Sequence, residues 1–172
     1  MNMLSIILPV FLAGILFISS LKAFPSLLKY PLDLGLKINR KRIFGENKTI
    51  RGPLFMGIFT GLFGLIIASF ISIKIEGSVF LSYFAIGVLY SIGELPNSFV
   101  KRQMGILPGK NAGKALPRLL FFFLDTYDSL IFCGIGYILF FSFPFNLVVA
   151  SVLLGGIVHL CTDLLMKFLN LK

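Results

Sequence analysis

The stretch from Leu54 to Ile73, LFMGIFTGLFGLIIASFISI, contains no charged residue. An α-helix needs about 20 consecutive apolar residues to cross a bilayer, and this stretch has that length and composition. Its glycines Gly57, Gly61 and Gly64 recur at helical spacing on one face, where small residues allow a second helix to approach closely. The stretch therefore predicts a transmembrane helix with a face for helix packing.

Further apolar stretches bring the number of predicted spans to about five. The chain has 172 residues, of which 57% are hydrophobic and 13% charged, and its mean hydropathy is +0.95. Such a composition cannot supply the polar surface of a soluble domain. The predicted spans are Met3–Leu21, Leu54–Ile73, Val79–Leu95, Leu116–Phe141 and Asn146–Phe168. We predict an all-α, polytopic membrane protein that forms a single domain over residues 1–172.

The first apolar stretch has a second interpretation, which is a cleaved signal peptide. No basic residue precedes it, and the sequence SSLKA that follows is a poor cleavage site. A membrane span is therefore the favoured interpretation.

The formal net charge is +9, and nearly all of the basic residues that produce it lie on one side of the predicted spans. All but Lys74 of the 16 basic residues fall in segment 22–52, in segment 96–118 or near the C-terminus, and five spans put these on the same side. In a soluble protein such a charge would suggest nucleic acid, but here the positive-inside rule explains it. We predict a cell-membrane protein with its N-terminus outside, its C-terminus and two long loops (22–52 and 96–118) in the cytoplasm, and no nucleic-acid partner.

Acidic residues are concentrated within the predicted spans, at Glu94, Asp125, Asp128 and Asp163. Charged side chains in a membrane are costly and point to function by default. Asp125 and Asp128 are three residues apart, so they project from one helix face and need a neutralising partner. That partner is either a divalent cation such as Mg²⁺, which prefers oxygen ligands, or a basic side chain in an ion pair.

Candidate phosphate-binding residues stand at the ends of the second and third spans: Lys48, Thr49, Arg51, Ser98, Lys101 and Arg102. Backbone N–H groups at helix starts also bind phosphate. The alternative is that these cations only hold the protein against anionic headgroups. We adopt that alternative for Lys22, Lys29 and Lys172.

Acidic metal ligands beside basic phosphate ligands indicate phosphoryl or nucleotidyl transfer to a lipid, and electrostatic positioning carries most of such chemistry. The competing hypothesis is a transporter or lipid-binding module whose intramembrane acids line an ion path. His159 and Asp163 are spaced i, i+4 and form either a structural contact or a base and substrate contact.

Three motifs combine these residues: GELPNSFVKR over residues 93–102, Leu-Pro-Gly over 107–109 and Asp-Thr-Tyr-Asp-Ser over 125–129. The combination resembles the signature of CTP:phosphatidate cytidylyltransferases, which reads Ser-x-x-Lys-Arg, then Leu-Pro-Gly, then Asp-Arg-x-Asp-Ser. The first loop, with Pro-x-Asp-x-Gly at 31–35, Arg-Ile-Phe-Gly at 42–45 and Asn-Lys-Thr-Ile-Arg-Gly at 47–52, resembles the archaeal branch, the CDP-archaeol synthases. The resemblance covers about residues 30 to 165.

This resemblance implies that CTP and a lipid phosphate, either an isoprenoid-ether or a diacyl glycerol phosphate, give a CDP-lipid and pyrophosphate with Mg²⁺ as cofactor. Asp125, Asp128 and Lys101 would be catalytic, with the two aspartates holding the metal. The substrate-binding residues would be Lys48, Thr49, Arg51, Ser98, Arg102, Asp33 and Glu94, with Asp33 also ordering the first loop.

The chain departs from the bacterial pattern at two points. Thr126 stands where the bacterial enzymes have Arg, and the Lys-Asp pair usual before Leu-Pro-Gly is missing. Both departures count against a bacterial-type phosphatidate enzyme, and they leave a non-catalytic family member as a further hypothesis. Glu94 stands where the family has Asp and keeps the carboxylate.

Overall fold

A computed structural model describes residues 3–70, 79–110, 113 and 115–168, and for residues 163 and 165–168 it describes the backbone alone. Its long helices within these residues are α1 (Leu4–Ala23), α2 (Arg51–Phe70), α3 (Val79–Gln103), α4 (Ala115–Phe141) and α5 (Phe145–Phe168). Each contains a stretch long and apolar enough to cross a membrane. The predicted helical membrane protein with five spans is therefore confirmed, while its sidedness stays a prediction.

The glycine face of α2 packs against α3, as its spacing predicts. An added Cβ at Gly64 would lie 2.1 Å from the ring of Tyr83, and one at Gly61 would lie 2.6 Å from the ring of Phe80. Further along α3, an added Cβ at Gly87 would lie 2.2 Å from the carbonyl oxygen of Met56 on α2. The contacts thus move from Gly64 back to Met56 on α2 as α3 advances from Tyr83 to Gly87, so α2 and α3 are antiparallel. Any side chain at these glycines would push the helices apart.

A proline in α1 is compensated by a tyrosine on α3. Pro9 has no N–H, so the carbonyl of Ser5, one turn earlier, lacks its usual helical donor. The hydroxyl of Tyr83 donates to that carbonyl at 3.3 Å, and the hydroxyl of Tyr137 on α4 donates to the neighbouring carbonyl of Ile6 at 2.8 Å. Both tyrosines are fully buried, so these bonds tie α1 to the bundle where water cannot substitute.

The chain connections divide the bundle into two ends. Successive helices run in alternating directions. This places three segments at the same end of the bundle, which we call the loop end: the connection from α1 to α2 (residues 24–50), the connection from α3 to α4 (residues 104–114) and the C-terminal end of α5. The tight connection from α4 to α5 lies at the opposite end, where Phe143 stacks on Tyr137 with ring centroids 5.7 Å apart. Within the described part of the chain, the basic side chains lie at this loop end or in its connections.

The first loop contains a small β-hairpin that the all-α prediction did not include. Strands β1 (Lys37–Ile38) and β2 (Lys41–Arg42) pair antiparallel. The two residues between them, Asn39 and Arg40, both have positive φ, at 51° and 64°. Such a pair of left-handed residues is typical of a type I′ turn, which matches the twist of a two-stranded hairpin.

The predicted end of the third helix at Leu95 is wrong. α3 continues through Pro96 to Gln103, so the predicted loop 96–118 is shortened to the residues between Gln103 and Ala115. Proline costs the helix one hydrogen bond, which the sequence reading treated as a stop. Because a helix tolerates one missing N–H when neighbouring elements support it, α3 extends and carries Asn97 and Lys101 on a regular helical surface.

We predict that Tyr83→Phe lowers the free energy of unfolding in detergent by about 0.5–2 kcal/mol, because the carbonyl of Ser5 loses its donor. Pro9→Ala restores an N–H to that carbonyl, so the cost of Tyr83→Phe should shrink in the Pro9→Ala background. A double-mutant cycle of thermal unfolding measures this coupling. Equal costs in both backgrounds would show that the hydroxyl does not compensate the proline.

Candidate active site

The candidate site lies where α3 and α4 come closest at the loop-end half of the bundle. An added Cβ at Gly93 would lie 3.0 Å from the carbonyl oxygen of Asp128 and from the Cα of Ser129. The next residue on α3 is Glu94, so its carboxylate is carried on the turn of α3 that packs against the segment of α4 containing Asp128. A larger side chain at position 93 would push α3 away from α4. Glycine at this position therefore allows the acidic side chains of the two helices to share one site.

Asn97 joins the two aspartates of α4. Its amide nitrogen donates to Asp125 Oδ1 at 2.7 Å and to Asp128 Oδ2 at 3.2 Å. The other oxygen of Asp128 accepts from the backbone N–H of Ser129 at 2.7 Å and from its hydroxyl at 3.2 Å. One amide reaches both carboxylates, which confirms that Asp125 and Asp128 share a helix face.

Two lysines neutralise part of this negative charge. Lys101 Nζ lies 2.5 Å from Asp125 Oδ1 and 2.6 Å from Oδ2, and it sits 5.2 Å from the centroid of the Phe121 ring. Lys48, from the first loop, forms an ion pair with Glu94. The predicted neighbourhood of basic and acidic residues is thus confirmed by two direct contacts, although the Asp125 side chain is 53% exposed.

The oxygen donors of the cluster suit Mg²⁺, which commonly takes one or two protein carboxylates together with substrate phosphates. Three carboxylates face two lysine ammonium groups, so one formal negative charge is left over. Asn97 Oδ1 is buried and has no hydrogen-bond partner in the described part of the chain. Among the described residues no three His, Cys, Asp or Glu side chains converge on a single metal position, and the metal-ligand role predicted for Asp125 and Asp128 stays a prediction.

The first loop is fastened to the end of α3, which positions Lys48 over the cluster. The guanidinium of Arg102 donates to the carbonyl of Phe44 at 3.3 Å and to that of Ile106. Lys41 Nζ donates to the carbonyl of Gln103 at 2.5 Å. Arg102 is 9% exposed, and its described contacts are these carbonyls, so the phosphate contact predicted for it stays a prediction.

Asp33 organises the interior of that loop. Its carboxylate accepts from Arg42 at 2.5 Å and from the backbone N–H groups of Gly35, Phe44 and Gly45 at 3.0–3.2 Å. Burial raises the pKa of Asp33, but these hydrogen bonds together outweigh burial and hold the pKa well below its usual range. The loop-ordering role predicted for Asp33 is confirmed, and its predicted contact with substrate stays a prediction.

The remaining predicted site residues surround the cluster or lie outside what is described. Ser98 and Thr49 are buried, and Thr49 pairs with Pro31 through the backbone. Arg51 donates to the carbonyl of Pro25 at 3.1 Å, so it braces the entry to the first loop. The predicted pairing of His159 with Asp163 falls on a side chain outside the described residues.

Sequence reasoning assigned no role to Asn97, although it contacts both aspartates. Asn97 and Lys101 are spaced i, i+4, so a helix continued past Pro96 would have put both on the face that carries Glu94 and Gly93. This polar stripe was the signal in the sequence. It was missed because the predicted helix ended at Leu95.

The sequence is similar to members of one known family. A family model described as CarS-like, CDP-archaeol synthase, matches residues 2–172. The CDP-archaeol synthase of Thermofilum pendens is 35% identical over 145 residues, which cover 83% of this chain and 64% of that protein. The CDP-archaeol synthases of Pyrobaculum aerophilum and Methanocaldococcus jannaschii are 28% and 30% identical, over 84% and 83% of this chain and 80% and 81% of theirs. The chain therefore spans less than two thirds of the Thermofilum protein, and no solved structure matches it.

We predict that Asp33→Asn opens the first loop and speeds its cleavage by a soluble protease by roughly tenfold or more, because charge-assisted hydrogen bonds are lost. Glu46→Gln is the matched control, since Glu46 also pairs with Arg42 but is exposed. Cleavage at equal rates in both variants would contradict the role of Asp33.

The same experiment has an expected pH dependence. Folding lowers the pKa of Asp33, so the ionised carboxylate stabilises the loop at every pH above the usual aspartate value of about 3.9. That protection should be lost only as the pH falls below this value toward the folded-state pKa. A wild-type loop that opens between about pH 7 and pH 5 would contradict this account.

Proposed function

The chain belongs to the CDP-archaeol synthase family, and on that premise we propose that it is a CTP-dependent cytidylyltransferase acting on a membrane lipid phosphate. The observation that carries the proposal is the carboxylate cluster of α3 and α4, bracketed by Lys48 and Lys101. A triphosphate brings negative charge that needs cations, and a transferase needs those cations held in fixed positions before the substrate arrives.

The proposed reaction transfers CMP from CTP to the lipid. A phosphate oxygen of the lipid attacks the α-phosphorus of CTP and forms a new P–O bond. The bond from that phosphorus to the oxygen bridging it to the β-phosphate breaks, and pyrophosphate leaves with the electron pair. The expected acceptor is 2,3-bis-O-geranylgeranyl-sn-glycerol 1-phosphate and the product CDP-archaeol, in keeping with the names of the related proteins.

Lys101 and Lys48 are proposed to bind phosphate oxygens. Both ammonium groups are ion-paired, but their side chains are still 15% and 21% exposed, so phosphate can reach them. Each would exchange a carboxylate partner for a phosphate oxygen a short distance away. The neighbouring Ser98 and Arg102 on α3, and Thr49 and Arg51 at the start of α2, are the further phosphate contacts that we propose.

Asp125 and Asp128 would hold Mg²⁺, which when bound supplies positive charge against the phosphates during the transfer. Asn97 would hold the two carboxylates in a fixed position relative to each other, since its amide nitrogen donates a hydrogen bond to each of them. Glu94 would act as the anion that holds Lys48 over the site. We further propose that the loop end faces the cytoplasm of a cell membrane, because it carries nearly all the basic residues.

We predict that the purified protein releases pyrophosphate from CTP with Mg²⁺ and geranylgeranyl-ether glycerol phosphate, and that chelation by EDTA stops the release. Asp128→Asn should lower kcat by about 100-fold or more, the scale on which one electrostatic group in an active site acts. Glu46→Gln, an exposed carboxylate outside the cluster, should stay within about twofold of the wild-type rate.

Thermal unfolding of each variant in the same detergent separates loss of catalysis from loss of fold. Undiminished turnover in Asp128→Asn would rule out the assigned site. Absence of turnover on both ether and ester acceptors, in wild-type protein that is folded, would rule out the activity.

A further inference from the structure

A long cleft runs between α1 and α5, away from the carboxylate cluster. Its volume is about 470 Å³, within the range of about 300–1,000 Å³ typical of ligand pockets. α1 packs mainly on α2, and α5 packs mainly on α4, which leaves the space between α1 and α5 open with α4 as its floor. The cleft therefore results from the way the five helices are paired.

The walls of the cleft are apolar and include glycines from three helices, Gly14, Gly134 and Gly155. An added Cβ at Gly14 would meet no atom within 4 Å, so the wall at this point borders open space. Along α1 the lining runs from Ile6 to Lys22, about 24 Å at a helical rise of ~1.5 Å per residue. That length exceeds the ~15 Å half-thickness of a bilayer hydrocarbon core, so an extended hydrocarbon chain fits along it.

The two ends of the cleft differ in polarity. Its loop end is lined by Lys22, His159 and Thr162, whereas the opposite end is lined by residues such as Ile6 and Tyr137. An apolar channel with a cation at one end is complementary to a lipid whose polar end is an anion. Free hydrocarbon would gain nothing from the lysine, and a soluble anion would gain nothing from the length of the channel.

Tyr90 connects the cleft to the candidate active site. Its side chain lines the cleft, and it lies on α3, the helix that also carries Glu94 and Asn97. It stands one turn before Glu94 on α3, so the same helix contributes to both the cleft and the acidic cluster. The polar end of the cleft and the acidic cluster both lie in the loop-end half of the bundle, so a phosphate held there is on the side of the bundle where CTP is proposed to bind.

We propose that the cleft between α1 and α5 binds the hydrocarbon chain of the lipid phosphate acceptor, which enters sideways from the bilayer, with Lys22 and His159 facing its phosphate. The proposal deepens the function proposed above and rests on it for the identity of the acceptor. It also changes the interpretation of Lys22 from a general headgroup contact to a positioning residue for one lipid. The ether-linked and ester-linked forms share this chemistry, and the acceptor assays tell them apart.

Filling the cleft tests the binding of the chain. Gly14→Leu should raise the KM for a long-chain lipid phosphate by about tenfold, because each methylene kept out of an apolar site weakens binding roughly fourfold. The KM for CTP should not change. Leu16→Phe, on the same helix but outside the cleft lining, is the matched control and should leave both constants within about twofold. Equal effects of the two variants would overturn the proposal.

Removing the charge tests the binding of the phosphate. Lys22→Gln should raise the KM for the lipid phosphate several-fold and leave the KM for CTP unchanged. Lys29→Gln removes a cation that does not line the cleft and should have no such effect. Equal changes in both variants would mean that Lys22 acts only as a general headgroup contact, and would overturn its assigned role.

Photolabelling separates this proposal from the proposed activity. A dialkyl glycerol phosphate with a diazirine in its chain, in phosphatidylcholine nanodiscs, should label the cleft faces of α1 and α5 in wild type and Leu16→Phe but not in Gly14→Leu. This labelling would support the cleft even if no pyrophosphate were released. Turnover accompanied by labels spread evenly over the exposed helix faces would overturn the proposed binding of lipid in the cleft, while it would still support the proposed activity.

Discussion

Acidic side chains inside an apolar helix bundle must be hydrogen-bonded or paired, and in this protein one arrangement meets that requirement for three of them. Gly93 lets α3 approach the backbone of Asp128 and Ser129 on α4, and Glu94 follows Gly93 on the same turn of α3. Asn97 then bridges the two aspartates, and two lysines supply the positive charge. Glu94 and Asp128 are partly buried, and withdrawing a carboxylate from water without such partners costs free energy on the scale of the net stability of a small domain. Asp125 is the more exposed of the three and is held by Lys101 and Asn97.

The first loop follows from the same arrangement. One of the two lysines, Lys48, comes from this loop, so the loop must be held firmly against the end of α3. Asp33 orders the loop internally, and Arg102 and Lys41 attach it to α3 through backbone carbonyls. At the opposite end of the bundle Tyr83 and Tyr137 perform a comparable task for α1, so both ends of the helices are fixed by polar groups while the middle packs through glycines.

Much of this could be predicted from residue patterns that act locally. Apolar length gave the five spans, the spacing of Asp125 and Asp128 gave their common face, and Pro-x-Asp-x-Gly at 31–35 gave the turn around Asp33. The continuation of α3 past Pro96 could not be predicted, because local propensity opposes it and only tertiary contacts support it. The cleft between α1 and α5 was equally hidden, since it depends on which helices pack together and not on any one helix.

We propose that the ion pairs of Lys101 and Lys48 occupy the positions that substrate phosphates take. The most direct measurement is a structure of the protein bound to CTP and Mg²⁺. We predict that Lys101 Nζ contacts a phosphate oxygen of CTP in place of Asp125, and that the triphosphate lies between the first loop and the α3–α4 cluster. A complex in which CTP is bound elsewhere while the Lys101–Asp125 and Lys48–Glu94 pairs stay intact would contradict it.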